Sequence, residues 1–175
     1  MKEICYTPIG VLHTPFHEWS ETTIQAAFSD TPGRAEILPQ YGEGLKDLEG
    51  FSHITLLYHF HQAGGFALRE RPFLDEGEGR GIFAIRHYRR PNPIGISTVQ
   101  MMEIHGNIIE FKGADMLDNT PLLDIKPFVR AFDNRETARE GWVEKQRLKE
   151  ISSEKATPKG LKGRNAGERP PGGVS

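Results

Sequence analysis

The longest apolar run in this chain, Ser52 to His61, spans only ten residues, and turn-forming residues separate it from its shorter neighbours. Runs of this length suit strands and are too short for the helices of a bundle. Gln25–Phe28, Arg34–Leu38, Gly81–Arg86, Ser97–His105 and Ile108–Lys112 read as further strands. So does Ile4–His13, with Tyr6, Pro8 and Gly10 marking a bend or an edge. Ser29-Asp30-Thr31-Pro32-Gly33 is a turn signal, and His105-Gly106-Asn107 is a hairpin turn between two strands. The 19 glycines and 12 prolines supply this punctuation. Helices alternating with the strands, which a doubly wound fold needs, are absent. The expected fold is all-β: a barrel-like closed sheet of short strands, with a C-terminal helix and a disordered tail.

Three segments fall outside the strands. Gly42–Leu48 reads as one helical turn. Gln62–Gly79 is charged and loop-like. Asp133-Asn134-Arg135-Glu136 resembles a capping box and predicts a helix to about Leu148, with Ala138 and Trp142 on one face. From about Thr157 the composition cannot bury a core. Residues 1–145 are therefore read as one domain, and 146–175 as the end of the helix plus a basic tail.

Charge follows the same division. Residues 145–175 hold 8 Lys/Arg against 3 Asp/Glu, and residues 1–144 hold 14 against 21. An acidic body grips phosphate poorly, so contact with nucleic acid would rest on local basic patches, on a dimer that joins them, or on the basic tail. Cys5 is alone, so an internal disulfide or a Cys-rich zinc site is excluded, and it reads as a packed strand residue. No apolar run has the length of a membrane span and no signal peptide is visible, so no membrane partner and a cytoplasmic location are expected.

The chemistry concentrates at Arg86-His87-Tyr88-Arg89-Arg90-Pro91-Asn92-Pro93-Ile94-Gly95. Each proline fixes its own φ and pushes the residue before it into an extended conformation, so Arg90 and Asn92 stand on stiff backbone. Guanidinium groups there suit bidentate binding of carboxylate or phosphate. The alternative is a solvated basic turn. Asp115 and Asp118 either cap the Thr120-Pro121 turn or accept hydrogen bonds from a ligand, with Met116 and Leu117 lining an apolar slot. His59 and His61 share one strand face, which with His53 raises a zinc site as an alternative.

The Arg-x-x-x-Arg-Pro-Asn-Pro-Ile-Gly run resembles the TrmO (TsaA-like) family. Three other segments fit in order: Ile9–Phe16, Leu48–Ile54, and Asp115–Phe128 with its Asp-Met-Leu-Asp-Asn-Thr-Pro core. The resemblance covers roughly residues 4 to 145. It implies a β-barrel enzyme that uses S-adenosylmethionine to methylate N6-threonylcarbamoyladenosine beside the anticodon of tRNA, acting as a homodimer. It assigns cofactor contacts to Gln25, Ala26, Ala27, His61, Gln62, Arg86, Gly95, Asp115, Met116, Leu117 and Asp118, and catalysis to Arg86, Arg90 and Asn92, with no metal. Two departures stand out. Ile24 replaces the arginine of the family's Pro-Arg-Gln, and Asn119 replaces a glycine. Asp115, Asp118 and Tyr88 all remain candidates for the proton acceptor, and Tyr88 and Phe83 for base stacking. The rival readings are a non-catalytic cofactor- or RNA-binding module and a histidine-based metal hydrolase.

Overall fold

The structure is a computed structural model that describes residues 2–74, 79–136, 139–145 and 156–158. Its centre is a closed six-stranded barrel. The strands are β1 (Gly10–His13), β2 (Pro32–Ile37), β3 (His53–His59), β6 (Ile94–His105), β7 (Ile108–Lys112) and β8 (Thr120–Pro127). Their order around the barrel is β1-β2-β7-β6-β3-β8, and β8 returns to β1 through Gly10 opposite Leu122 and Leu12 opposite Thr120. Every pairing is antiparallel. A separate two-residue ladder joins β4 (Arg69–Glu70) to β5 (Arg80–Gly81).

The strands form where residues alternate. In β2 the burial pattern is strictly every second residue, with Gly33, Ala35 and Ile37 inward. In β3 the inward set is Ile54, Leu56 and Tyr58. These meet Leu12, Val99, Ile109, Phe111 and Leu122 in one core, the period-two signature of a sheet with one buried face. Phe111 fills the barrel only because Gly33 opposes it: a Cβ on Gly33 would lie 2.5 Å from the ring. Two irregularities bend the sheet closed. β6 slips register against β7 between Met101 and Glu103, and β8 slips against β3 between Leu57 and Tyr58. Bulges of this kind sharpen twist and re-aim side chains.

Several local expectations are corrected. Only Gly10–His13 of the first predicted strand joins the sheet, and Cys5, outside it, is exposed rather than packed. Gln25–Phe28 is not a strand, because Ala26–Phe28 forms a 3₁₀ turn. Gly81–Arg86 is not one either: Ile82–Ala84 coils into a 3₁₀ turn that buries Ile82 and leaves Phe83 out. The helical turn at 42–48 appears as two 3₁₀ turns, Pro39–Leu45 and Leu48–Gly50. β8 (Thr120–Pro127) is a strand that the strand reading of the sequence did not include. Asp133 ends the helix α1 (Arg130–Asp133) instead of starting one, and its carboxylate accepts the Val129 N–H at 2.5 Å at the N-terminal end of that turn. Gly141–Lys145 is a further 3₁₀ turn, while Ala138 and Leu148 lie outside the described residues. The tail does not leave the barrel at Thr157. Ala156 is fully buried, its carbonyl accepts the Ile24 N–H at 2.8 Å, and Pro158 is buried beside it.

Candidate functional site

One end of the barrel opens into a cavity of about 940 Å³. It exists because β6 puts small residues inward there. The exposed side chains Ile94 and Ile96 point away from the interior, while Gly95 and Ser97 point in. Gly95 faces Tyr58 across the β3–β6 ladder, and a Cβ on Gly95 would lie 2.1 Å from the tyrosine ring. Tyr58 therefore lies flat over a glycine and sends its hydroxyl to the Ser97 Oγ at 3.0 Å.

Ser97 in turn donates to Asp115 Oδ1 at 2.6 Å, and the Tyr58 hydroxyl reaches the same oxygen at 3.5 Å. The Ala26 N–H, from the 3₁₀ turn, also bonds this carboxylate. Asp115 keeps a partly open face on the cavity floor. Burial nevertheless dominates its electrostatics and pushes its carboxyl up to about 6, against the opposing hydrogen bonds from Ser97, Ala26 and Tyr58 and the more distant Arg86 charge. Burial and the Asp115 charge push the Tyr58 hydroxyl well above its usual value, so it stays a neutral donor.

Arg86 lines the opposite side. It donates to Gln25 Oε1 at 3.0 Å, and among the described residues no carboxylate forms a salt bridge with it. The other two arginines of the run are committed elsewhere. Arg89 pairs with Glu70 at 2.8 Å. Arg90 lines the cavity, but its Nη1 donates to the Ile82 and Ile85 carbonyls at 2.9 and 2.8 Å, which locks the turn carrying Arg86. Its guanidinium also lies 5.7 Å from the Phe83 ring. Asn92 is exposed and outside the cavity lining; its carbonyl accepts the Ile94 N–H as β6 begins.

The remaining expected residues divide. Gln25, Ala27, His61, Gln62, Gly95, Met116 and Leu117 line the cavity. Ala26 contributes through its backbone. Asp118 turns the other way: it accepts the Thr14 N–H at 3.1 Å and stands 3.6 Å from His13, so it ties β1 to the loop before β8. Asn119 holds the turn with a φ of 59°, as the glycine it replaces would. His61 does not share a strand face with His59, because β3 ends at His59; its Nδ1 lies 3.4 Å from Thr120 Oγ1. His53 bonds Ser52 at the far end of the same strand. Among the described residues no three His, Cys, Asp or Glu side chains gather as a metal set.

Sequence reasoning missed Tyr58, Ser97 and the C-terminal wall of Trp142, Val143 and Pro158. Ser97 carried a signal: it is the polar member of the inward series Gly95, Ser97, Val99. The C-terminal wall is fixed by Trp142 Nε1, which donates to the Ala84 carbonyl at 2.8 Å, and nothing local in the sequence announces that bond.

Comparison with known proteins places this architecture. Residues 11–134 match the model of the tRNA-methyltransferase O N-terminal domain. A Pyrococcus abyssi protein described as a probable S-adenosyl-L-methionine-binding protein is 53% identical, over 81% of this chain and 77% of its own length. The tRNA (adenine(37)-N6)-methyltransferase of Escherichia coli is 34% identical, over 74% of this chain and 59% of its own. A crystal structure of TrmO superposes with a TM-score of 0.69 at 36% identity, covering 80% of this chain and 64% of that one. The chain thus spans somewhat less than two thirds of both the Escherichia coli enzyme and that crystal structure. Sharing the domain over most of its own length, this chain belongs to the tRNA-methyltransferase O N-terminal domain family.

Proposed function

We propose that this protein uses S-adenosylmethionine to methylate N6-threonylcarbamoyladenosine next to the anticodon in tRNA. The observation that carries the reading is one cavity holding a guanidinium, Arg86, that has no carboxylate partner among the described residues, together with a half-buried and unusually basic carboxylate, Asp115. The donor set fits the cofactor. Arg86 and Gln25 suit a carboxylate, Met116 and Leu117 suit an apolar ring, and His61 and Gln62 offer polar contacts at the rim.

The cofactor, when bound, supplies the methyl group from its sulfonium. The chain's own residues must orient the acceptor and handle its proton. The acceptor nitrogen is urea-like and conjugated, hence a weak nucleophile unless its proton is taken. Asp115 is ionised at neutral pH yet more basic than an ordinary aspartate, and Ser97, Tyr58 and the Ala26 N–H hold it in one orientation. That makes it the proton acceptor favoured over Asp118, which faces β1. Arg86, anchored by Gln25 on a turn clamped by Arg90, binds either the cofactor's carboxylate or the threonyl carboxylate of the substrate. Arg90 acts as a positioning residue, and Asn92, outside the cavity lining, contributes through the backbone bond that starts β6.

A homodimer is part of this reading, as the family resemblance implies. No helix among the described residues is long and apolar enough to cross a membrane. A cytoplasmic location follows from the substrate.

The test is a methyl-transfer assay on matched tRNA with and without the threonylcarbamoyl group, alongside modified-nucleoside mass spectrometry of a complemented deletion strain. Turnover on the modified tRNA alone is expected. Equal rates on both would sink the substrate assignment, and cofactor binding without turnover on either would leave a binding module.

A further inference from the structure

Six aromatic rings run in sequence along the cavity, and the enzyme chemistry above uses only the innermost. Tyr58 meets Phe60 edge-on at 5.4 Å, and Phe60 meets Tyr88 edge-on at 6.5 Å. From there the rings turn nearly parallel. Tyr88 stacks on His87 at 4.4 Å, His87 on Phe73 at 6.0 Å, and Phe73 on Trp19 at 6.1 Å, with interplanar angles of 22°, 26° and 26°. All six line the cavity. The outer rung is open: Phe73 is 41% exposed and Trp19 is only partly buried.

A core cluster does not look like this. Its members come from strands and close over one another, whereas Trp19, Phe73, His87 and Tyr88 all sit on connections between strands. Trp19 and Phe73 are brought from separate loops to meet over the cavity mouth. Burial, with Arg89 and Arg90 nearby, keeps His87 below the usual histidine value against the opposing Glu70 charge, so the middle rung is a neutral ring at neutral pH.

The charge of the chain gives the ladder its meaning. Residues 1–144 carry seven more acidic than basic side chains, so this part of the molecule is poorly suited to gripping RNA by its phosphates. Stacking on bases needs no positive charge, and unpaired loop bases are what proteins stack on aromatic side chains. We propose that Trp19 and Phe73 form a stacking subsite for one unpaired nucleobase flanking the acceptor nucleoside. The ladder then carries planar contacts from that neighbour at the mouth to Tyr58 beside Asp115. This inference rests on the tRNA reading above. A planar purine could also come from the cofactor's adenine, and the experiment separates the two.

The probe is a synthetic anticodon stem-loop RNA, with versions abasic at either nucleotide flanking the acceptor. Binding is measured on the full chain across a salt series, and the Trp19 emission is taken as the difference between the parent and Trp19→Phe. The RNA should quench Trp19, and S-adenosylhomocysteine alone should not. Trp19→Ala and Phe73→Ala should each weaken RNA binding by about 5- to 150-fold. The slope against salt should stay unchanged, because no phosphate contact is lost. Trp19→Phe should recover most of the affinity, which a folding defect would not allow. One abasic RNA should bind the parent as weakly as the intact RNA binds Trp19→Ala, and combining the two should add little.

Full affinity in both alanine variants, quenching by S-adenosylhomocysteine alone, or independent losses with both abasic RNAs would overturn the proposal. Methyl transfer by a Trp19→Ala variant of undiminished RNA affinity would sink this inference and spare the proposed reaction. Base-dependent binding without any methyl transfer would do the reverse.

Discussion

Replacing Asp115 with asparagine should make this protein more stable and abolish its chemistry. The carboxyl stands at about 6 against an ordinary value of 3.8. A raised carboxyl means that the folded state favours the protonated form. The cost of ionising it is absent below about pH 4, grows between about pH 4 and 6, and is fully present above that. At about 1.4 kcal/mol per pH unit the rise corresponds to roughly 3 kcal/mol at neutral pH. Asparagine escapes that cost and keeps an oxygen for the Ser97 and Tyr58 hydroxyls. It also replaces the second acceptor with a donor near the Ala26 N–H, which returns about 1 kcal/mol. The net gain is about 2 kcal/mol, or roughly 4–8 °C in melting temperature for a domain of this size. The assay is urea unfolding of parent and Asp115→Asn from pH 4 to pH 8. At pH 4 the variant should be up to about 1 kcal/mol less stable than the parent, and the order should reverse as pH rises. A gap that does not change with pH, or a variant less stable at pH 7.5, would refute the assignment of a strained carboxylate.

Three other perturbations test the site from different sides. Gly95→Ala drives a methyl into the Tyr58 ring, and overpacking of this kind should cost about 1–3 kcal/mol by denaturant titration while also displacing the Tyr58–Ser97 bond. Arg86→Ala should weaken S-adenosylmethionine or acceptor binding at least about tenfold by calorimetry, with the melting temperature of the free protein unchanged, since its recorded partner is the partly exposed Gln25. A chain ending before Ala156 should lose about 1 kcal/mol or more, because the Ile24 N–H loses its acceptor and a buried wall is removed. A chain ending after Pro158 should melt like the parent, so equal melting of both truncations would remove the tail from the fold.

The barrel was legible where residues alternate. β3, β7 and the turn at Gly106 follow from period-two patterning and from a backbone position with a φ of 59°. β8 was not, because Pro121 and Pro127 bound it and its register slip against β3 breaks the alternation, so the inward Leu122 and Ile125 stand three apart instead of two. Gly81–Arg86 misled in the opposite sense, as an apolar run that coils. The arginine run announced the site, but not which arginine is free. That depends on Glu70 for Arg89 and on two carbonyls for Arg90, partners fixed by tertiary structure. The Tyr58–Ser97–Asp115 group is written in three places, and only strand register brings it together.

Closure of the barrel restricts how this molecule can meet others. Each of the six strands has a neighbour on both sides, so the barrel has no edge strand, and the backbone left open is confined to parts of strands. Among the described residues, unpaired backbone is left on the two-residue ladder of β4 and β5 and along the halves of β6 that are paired on one side only, Ile94–Val99 and Glu103–His105. Closure by β8 on β1 thus removes the free strand that sheet growth would start from, and leaves side-chain faces as the main surfaces for meeting a second copy. The same closure leaves the connections between strands as the places where sequence can vary without opening the sheet, and these connections carry the aromatic rungs and Arg86. Recognition can drift in such a protein while the scaffold stays resistant to aggregation.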